Sequence, residues 1–333
     1  MIPLSILDLA PVPQGSDTGQ ALRNSADLAR AAERLGYHRF WMAEHHSMPG
    51  IASAATAVAL AYVGSQTSTI RIGAGGIMLP NHAPLIIAEQ FGTLESLYPG
   101  RVDLGLGRAP GTDQAAAYAM RRNLATDGNE FPNDVVELMN YFRGDNARVR
   151  AIPGEGLNVP IYILGSSLFG AQLAAALGLP YAFASHFAPG MMMQAMAVYR
   201  ERFQPSAQLD RPHVILGFNC FAADSDEQAQ LLATSVQQAF VALRTGQPAQ
   251  LPPPQAGYLD TLPSNARAIL QDVLSCSAIG SPATVRQQVA AFVERTGADE
   301  LMVTSQIFDH AARVRSYELL MEAVRQPELA AAG

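Results

Sequence analysis

Eight short apolar segments alternate along this chain with segments of helical spacing, and this alternation limits the possible folds more than any other feature. Continuous apolar runs are typical of parallel strands that are buried on both faces. Eight strand–helix units in succession favour a closed (β/α)8 barrel, the TIM barrel of the α/β class, over an open sheet. The predicted strands cover residues 4–10, 40–44, 70–79, 102–107, 160–164, 181–185, 213–222 and 300–305.

Two connections are longer than a simple strand–helix crossover requires. We expect a single barrel domain over residues 1–333, with insertions at about 109–159, after the fourth strand, and at about 225–280, after the seventh. Long connections in compact domains often form binding loops, and the second insertion is the expected lid. Helices are predicted at residues 20–35, 53–65, 84–97, 168–177, 191–203, 282–296 and 309–324.

The charge balance excludes several kinds of protein. The formal net charge of -7 argues against non-specific binding to nucleic acid, which needs a basic surface. All 22 basic residues are arginines, so the chain has no lysine for a Schiff base, a pyridoxal phosphate or a Walker motif. Arginine therefore has to bind any anion.

The cysteines and the apolar runs bear on location. Only two cysteines occur, Cys220 and Cys276, which predicts a reducing cytoplasm rather than a disulfide framework. The N-terminal residues lack the pattern of a signal peptide. The longest apolar run, about residues 51–63, is shorter than the roughly 20 residues needed to span a bilayer, and we expect a buried helix there and no membrane partner.

Ionisable residues end the second predicted strand. Glu44, His45 and His46 follow an apolar run, and strand ends of this kind meet substrates in parallel α/β proteins. Adjacent strand residues point to opposite faces, so at most one histidine faces the barrel mouth. This spacing disfavours a metal site, whereas a single histidine suits proton transfer. The alternative is a loop whose polar residues face water.

Glycines interrupt the third predicted strand. The pair Gly75-Gly76 weakens a strand unless a ligand approaches the backbone closely. It therefore indicates a flat ligand against bare main chain, with a β-bulge as the alternative.

Anion-binding groups follow the fourth and fifth strands. Arg108 lies at a strand end, where it can hold an anion or form a surface salt bridge. Gly165-Ser166-Ser167 leads into a helix whose free N–H groups suit a phosphate, although simple N-capping by a serine is equally compatible. His186, a second histidine at a strand end, is compatible with a functional or a structural role.

Taken together, these segments resemble the bacterial-luciferase-like flavin-dependent monooxygenases, in particular the small single-chain luciferase-like oxidoreductases. The similarity covers nearly the whole chain. The matching motifs are Trp41-Met42-Ala43-Glu44-His45-His46, Gly73-Ala74-Gly75-Gly76-Ile77-Met78-Leu79-Pro80, Pro99-Gly100-Arg101-Val102-Asp103-Leu104-Gly105-Leu106-Gly107-Arg108, Gly165-Ser166-Ser167 and Gly280-Ser281-Pro282-Ala283-Thr284-Val285.

The resemblance implies a (β/α)8 barrel with insertions, usually a homodimer, that binds FMN or a deazaflavin. By position, His45 would lie beside the flavin, and Gly75-Gly76 would form an unusual cis peptide behind its ring. Arg108, Ser166 and Ser167, together with Gly165, would hold the phosphate. Luciferase itself has a cysteine where this chain has Gly107 and an acid where it has Ser166, so we do not expect light emission.

We therefore expect an FMN-dependent monooxygenase. Reduced FMN, supplied by a separate flavin reductase, would react with oxygen and oxidise a small organic substrate in a site that excludes water. His45 and Glu44 are the predicted catalytic residues, and no metal is expected. Two alternatives remain: a deazaflavin-dependent hydride-transfer oxidoreductase, and a non-catalytic flavin-binding protein.

Overall fold

Eight parallel strands close into a barrel in this computed structural model, which describes residues 2–109, 119–120, 130–145 and 148–325. In the ring β1 to β7 are neighbours in chain order, and β9 closes the gap between β7 and β1. The predicted fold class is confirmed. The strands are β1 (Leu4–Asp8), β2 (Arg39–Met42), β3 (Arg71–Met78), β4 (Val102–Gly107), β5 (Ile161–Gly165), β6 (Tyr181–Phe183), β7 (Val214–Ala222), β8 (Ser277–Gly280) and β9 (Glu300–Thr304).

Helices surround the barrel, and their ends follow local sequence signals. The first has Asp17 as its N-cap, which accepts a 2.7 Å hydrogen bond from the Gln20 N–H, and it ends at Gly36 in the left-handed conformation. We number the helices α1 (Thr18–Leu35), α2 (Thr56–Ser65), α3 (Pro84–Leu97), α4 (Phe131–Arg143), α5 (Leu168–Leu177), α6 (Met192–Arg202), α7 (Asp226–Arg244), α8 (Tyr258–Thr261), α9 (Ser264–Val273), α10 (Pro282–Thr296) and α11 (His310–Arg325).

No strand was predicted within the second insertion, but it contains the short strand β8, which pairs in parallel with the outer end of β7. The run over residues 51–63 was expected to be a buried helix, but α2 leaves Val58 72% exposed. No helix within the described ranges is long and apolar enough for a membrane crossing. Residues 110–118 and 121–129 of the first insertion lie outside the described residues.

The N-terminal half of the barrel interior is filled by charged side chains. We call Arg39, Arg71, Asp103 and Glu300 the ionic cluster. Arg39 donates hydrogen bonds to Asp103 at 2.8 Å and to the two carboxylate oxygens of Glu300 at 2.9 and 3.0 Å. Asp103 also accepts hydrogen bonds from Arg71 Nε and from the indole N–H of Trp41, both at 3.0 Å. Each buried charge therefore faces an opposite charge.

Further polar groups complete this arrangement. Burial opposes ionisation of Glu300, but hydrogen bonds from His213 and Ser5 and the charge of Arg39 outweigh it and lower the pKa of Glu300 to about 2. Burial raises the pKa of Tyr162 to about 12, and its hydroxyl accepts a 2.7 Å hydrogen bond from Arg39. The ionic cluster thus forms a closed floor beneath the functional half of the barrel.

Candidate functional site

A cavity of about 580 Å³ occupies the C-terminal half of the barrel. This volume lies within the range of about 300–1,000 Å³ that is common for small-molecule sites. Its base is apolar and consists of inward-facing side chains directly above the ionic cluster. These side chains are Leu7, Trp41, Ile215 and Met302. Residues of β3 and residues that follow the other seven strands of the ring form the walls.

The two adjacent histidines point in different directions, as the sequence predicts. His45 lines the cavity, whereas His46 does not. The alternation continues from the strand, since Trp41 and Ala43 also line the cavity while Met42 packs in the outer core. One histidine from this pair is therefore available to a bound molecule.

Glu44, predicted to be catalytic, lies behind the cavity wall rather than in it. It is 1% exposed, and its carboxylate receives hydrogen bonds from the Met78 N–H at 3.0 Å, from His46 at 2.7 Å and from His82 at 2.9 Å. Burial opposes its ionisation, but the hydrogen bonds from His82, His46 and Met78 prevail and lower its pKa. Its own N–H donates to the Gly76 carbonyl at 3.2 Å. Glu44 thus fastens the end of β2 to the end of β3.

The glycine pair of β3 forms a wall of bare main chain. Gly75 and Gly76 both line the cavity, and the peptide bond between them is cis, which confirms that expectation. An added Cβ at Gly75 would lie 2.8 Å from Leu7 and 3.0 Å from Trp41, and one at Gly76 would lie 2.7 Å from the Gly105 carbonyl oxygen. Side chains are therefore excluded here, and a flat molecule can lie against the backbone.

The predicted anion-binding groups lie together on the next two strands. Arg108 follows β4, Gly165 ends β5, and Ser166 and Ser167 follow β5; all four line the cavity. The Arg108 guanidinium stacks over the Phe169 ring with its central carbon 4.1 Å from the ring centre. Ser167 occupies the N-cap position of α5, yet its side chain makes no capping hydrogen bond. The simple N-capping alternative therefore does not describe Ser167.

His186 is a cavity residue whose role the sequence left open. Its ring lies so close to Gly217 that an added Cβ there would be 2.1 Å from Nδ1. Within the described residues this buried Nδ1 has no hydrogen-bond partner. Burial, followed by the nearby His45, lowers the pKa of His186 to about 4. His186 is therefore neutral at pH 7, and its position after β6 is the signal that points to it.

Comparisons with known proteins agree with this geometry. The sequence model of the family described as luciferase-like monooxygenase matches residues 2–300. A luciferase-like monooxygenase of Escherichia coli (strain K12) is 53% identical over 323 residues, 96% of each chain. The chain belongs to the luciferase-like monooxygenase family. Members of this family are flavin-dependent oxidoreductases, so the protein is an enzyme of that class.

Solved structures of luciferase-like monooxygenases have the same barrel. The crystal structure of apo-MsnO8 matches with a TM-score of 0.87 and 34% identity, and covers 97% of this chain and 98% of that chain.

Two more distant structures show the fold alone. The oxygenating constituent of 3,6-diketocamphane monooxygenase from Pseudomonas putida, in complex with FMN, has a TM-score of 0.72 at 19% identity, covering 97% of each chain. An F420-dependent secondary alcohol dehydrogenase with an F420-acetone adduct has a TM-score of 0.71 at 14% identity, covering 98% and 99%.

Proposed function

We propose that this luciferase-like monooxygenase uses reduced FMN and oxygen to oxidise a small organic substrate. The observation that carries the proposal is the succession of a bare glycine wall on β3, a cation after β4 and two serine hydroxyls after β5, all in one cavity. Such a wall suits a planar ring, and the cation and hydroxyls suit a phosphate. When bound, reduced FMN supplies the two electrons that allow one oxygen atom to enter the substrate and the other to leave as water.

The residues of the cavity divide the remaining tasks. Gly75 and Gly76 give the ring a flat surface, and Arg108 with Ser166 and Ser167 holds the phosphate.

His45 is the proposed proton-transfer group because it is the histidine after β2 that faces the cavity. Glu44 is a positioning residue, since its hydrogen bonds hold the glycine wall beside His45. The apolar base excludes water from the reaction.

An anaerobic titration followed by admission of oxygen tests this function. Reduced FMN should bind, and oxygen should then be consumed with formation of an oxygenated product from a panel of organic substrates. The fold neighbour with F420 favours one second candidate, hydride transfer with a deazaflavin. Reduced deazaflavin that turns over a substrate without oxygen would replace the proposal with that candidate, and tight flavin binding without any turnover would indicate a flavin-binding protein.

Arg108→Ala tests the phosphate site. Loss of a charged hydrogen-bond donor, worth about 1.5–3 kcal/mol, should weaken FMN binding by about 10- to 100-fold. Riboflavin has no phosphate, so its affinity should stay nearly constant. Arg150→Ala is the matched control, because Arg150 pairs with Glu155 on the surface. Equal weakening of FMN and riboflavin would contradict the assignment.

His45→Ala tests the proton-transfer role. The variant should bind FMN as the natural protein does but form oxygenated product about 10²- to 10⁴-fold more slowly if His45 acts as a general acid–base group. A smaller share of the oxygen consumed should therefore appear in the product. An unchanged product yield would remove His45 from the mechanism.

We further propose a homodimer that receives its reduced FMN from a separate reductase, as the family resemblance implies. In support, exposed apolar side chains lie on the neighbouring helices α2 and α3, where Val58 is 72% and Leu97 59% exposed. Val58→Glu should yield a monomer in analytical ultracentrifugation. Ile269→Glu, at a residue 53% exposed on α9, should leave the oligomeric state unchanged.

A further inference from the structure

The cavity has two sides of different chemistry, set by the order of strands in the ring. The glycine wall lies on β3, and the anion-binding groups lie at or after the ends of β4 and β5. In the closed ring, the strands opposite these three are β7, β9 and β1. The opposite side of the cavity therefore consists of groups that follow β7, β9 and β1, and the proposed cofactor does not use them.

This opposite side is built mainly by one helix. Val236, Ala239, Phe240 and Leu243 of α7 all line the cavity. Their spacing places them on a single helix face, and along that face burial falls from 2% exposure at Val236 to 44% at Leu243. We call these four residues the α7 stripe. It leads from the cavity interior to its rim.

Hydrogen bonds fix the α7 stripe in place. At the start of α7, the Asp226 carboxylate accepts a hydrogen bond from the Ser281 N–H at 2.6 Å. Further along, Gln238 donates to the Pro253 carbonyl at 2.9 Å, and Thr234 accepts from the Gln255 N–H at 2.8 Å. The helix is thereby held at its first residue by the segment after β8 and near its middle by the segment that contains Pro253 and Gln255.

The segment after α7 is joined to the loop that follows β1. The Leu251 N–H donates to the Val12 carbonyl at 2.9 Å, and the Leu251 carbonyl accepts from the Gln14 N–H at 2.8 Å. Pro248, Ala249 and Leu251 line the cavity next to the α7 stripe. This segment closes the apolar side at the rim, so the second insertion forms a wall of the cavity.

We propose, on the basis of the proposed function, that the α7 stripe is the substrate subsite and that it selects neutral, predominantly apolar molecules. An apolar surface that faces a cavity gains free energy only from an apolar occupant. Among the described lining residues the charged side chain is Arg108, on the cofactor side, so a substrate carboxylate meets no cation beside α7. An unpaired ion in an apolar site carries a large desolvation cost.

Matched ligands test this inference with the FMN-loaded protein. Octanol and octanoate share a chain length and differ in charge at pH 7. Calorimetric titration should give octanol an affinity at least about tenfold higher, the equivalent of 1.4 kcal/mol. Octanol should also shift the absorption spectrum of the bound flavin, because the subsite adjoins the cofactor. Equal or tighter binding of octanoate would overturn the proposal.

A substitution at the rim sharpens the test. Leu243→Arg places a cation at the outer end of the α7 stripe and should reduce the preference for octanol by about tenfold or reverse it. Leu231→Arg is the matched control, since Leu231 lies on the same helix, is 38% exposed and is absent from the cavity lining. Equal effects of the two substitutions would contradict the α7 assignment.

Failure of this inference is distinguishable from failure of the proposed function. FMN affinity is measured separately for every variant and should be the same for Leu243→Arg and Leu231→Arg. If FMN binds but octanoate is preferred, the substrate subsite is wrong and the cofactor assignment stands. If FMN does not bind but octanol binds to the FMN-free protein with the expected preference, the cofactor assignment is wrong.

Discussion

The two halves of the barrel interior come from the same strands but have opposite chemistry. β3 contributes Arg71 to the ionic cluster and, four residues later, Gly75 to the cavity. β4 likewise contributes Asp103 and then Gly107. Residues four apart on a strand share a face, so each strand carries a charged group at the floor and a glycine at the mouth.

This difference shows how one barrel combines stability with an accessible site. At the floor, large charged side chains satisfy one another and leave no room for a ligand. At the mouth, glycines remove side chains and expose main chain. The three experiments below test whether the floor carries stability while the mouth carries function, and they run from the largest expected effect to the smallest.

Asp103→Ala should cause the largest loss of stability. It leaves Arg39 and Arg71 without their shared carboxylate, and breaking a buried ion pair costs about 3–5 kcal/mol. Urea unfolding followed by circular dichroism measures the change. Asp145→Ala is the control, because the 60% exposed Asp145 pairs with Arg143 at the surface and should matter little. Similar losses in the two variants would break the comparison between floor and mouth.

The two halves should respond to acid in different pH ranges. His186 has a pKa lowered from 6.5 to about 4. As the pH drops, its imidazole is therefore protonated in the unfolded chain before it is protonated in the folded chain, and the stability of the fold decreases between pH 6.5 and 4. The loss is up to about 3 kcal/mol. Glu300 has a pKa lowered from 4.5 to about 2, so its contribution is present above pH 4.5 and is lost between pH 4.5 and 2.

Urea unfolding across pH 7 to 3 separates these two ranges. His186→Gln should reduce the loss between pH 6.5 and 4 and retain the loss below pH 4.5. The part of the upper loss that remains belongs to His38, whose pKa is also lowered by burial. If the variant loses as much stability between pH 6.5 and 4 as the natural protein does, burial of His186 is not the cause of that loss.

Gly217→Ala should have the smallest effect. The new Cβ would overlap the His186 ring, which can move into the cavity, so the expected cost is about 1–3 kcal/mol. The stability lost between pH 6.5 and 4 should become smaller, because the His186 ring leaves its buried position. Gly190→Ala is the control, since an added Cβ there meets nothing within 4 Å. Equal changes in stability for both substitutions would show that the contact with His186 is unimportant.

The sequence predicts the helices best where Pro and Gly mark their ends. Pro84–Leu97, Leu168–Leu177 and Pro282–Thr296 have the expected bounds, since proline starts two of these helices and glycine follows two of them. The ends of the strands were predicted less accurately. β2 ends at Met42 rather than at residue 44, because ring pairing and not apolar content decides where a strand stops.

The candidate site was predictable where local motifs carry it, as in Gly75-Gly76 and Arg108. The ionic cluster was missed, because Arg39 and Glu300 are 261 residues apart and meet only once the ring closes. Glu44 was predicted to be catalytic, but its carboxylate lies behind the cavity wall. The hydrogen bonds from His46, His82 and Met78 that hold it there are tertiary contacts, which the local sequence does not reveal.

Trp41 is the one tryptophan of the chain, and it belongs to both halves. Its indole N–H binds Asp103 in the floor while its ring forms part of the cavity base. Its intrinsic fluorescence therefore arises from a single place that senses two events. Flavin entering the cavity would quench the emission by energy transfer, and unfolding of the floor would move the emission to longer wavelength as water reaches the indole. The protein thus carries a natural optical reporter that distinguishes ligand occupancy from loss of structure.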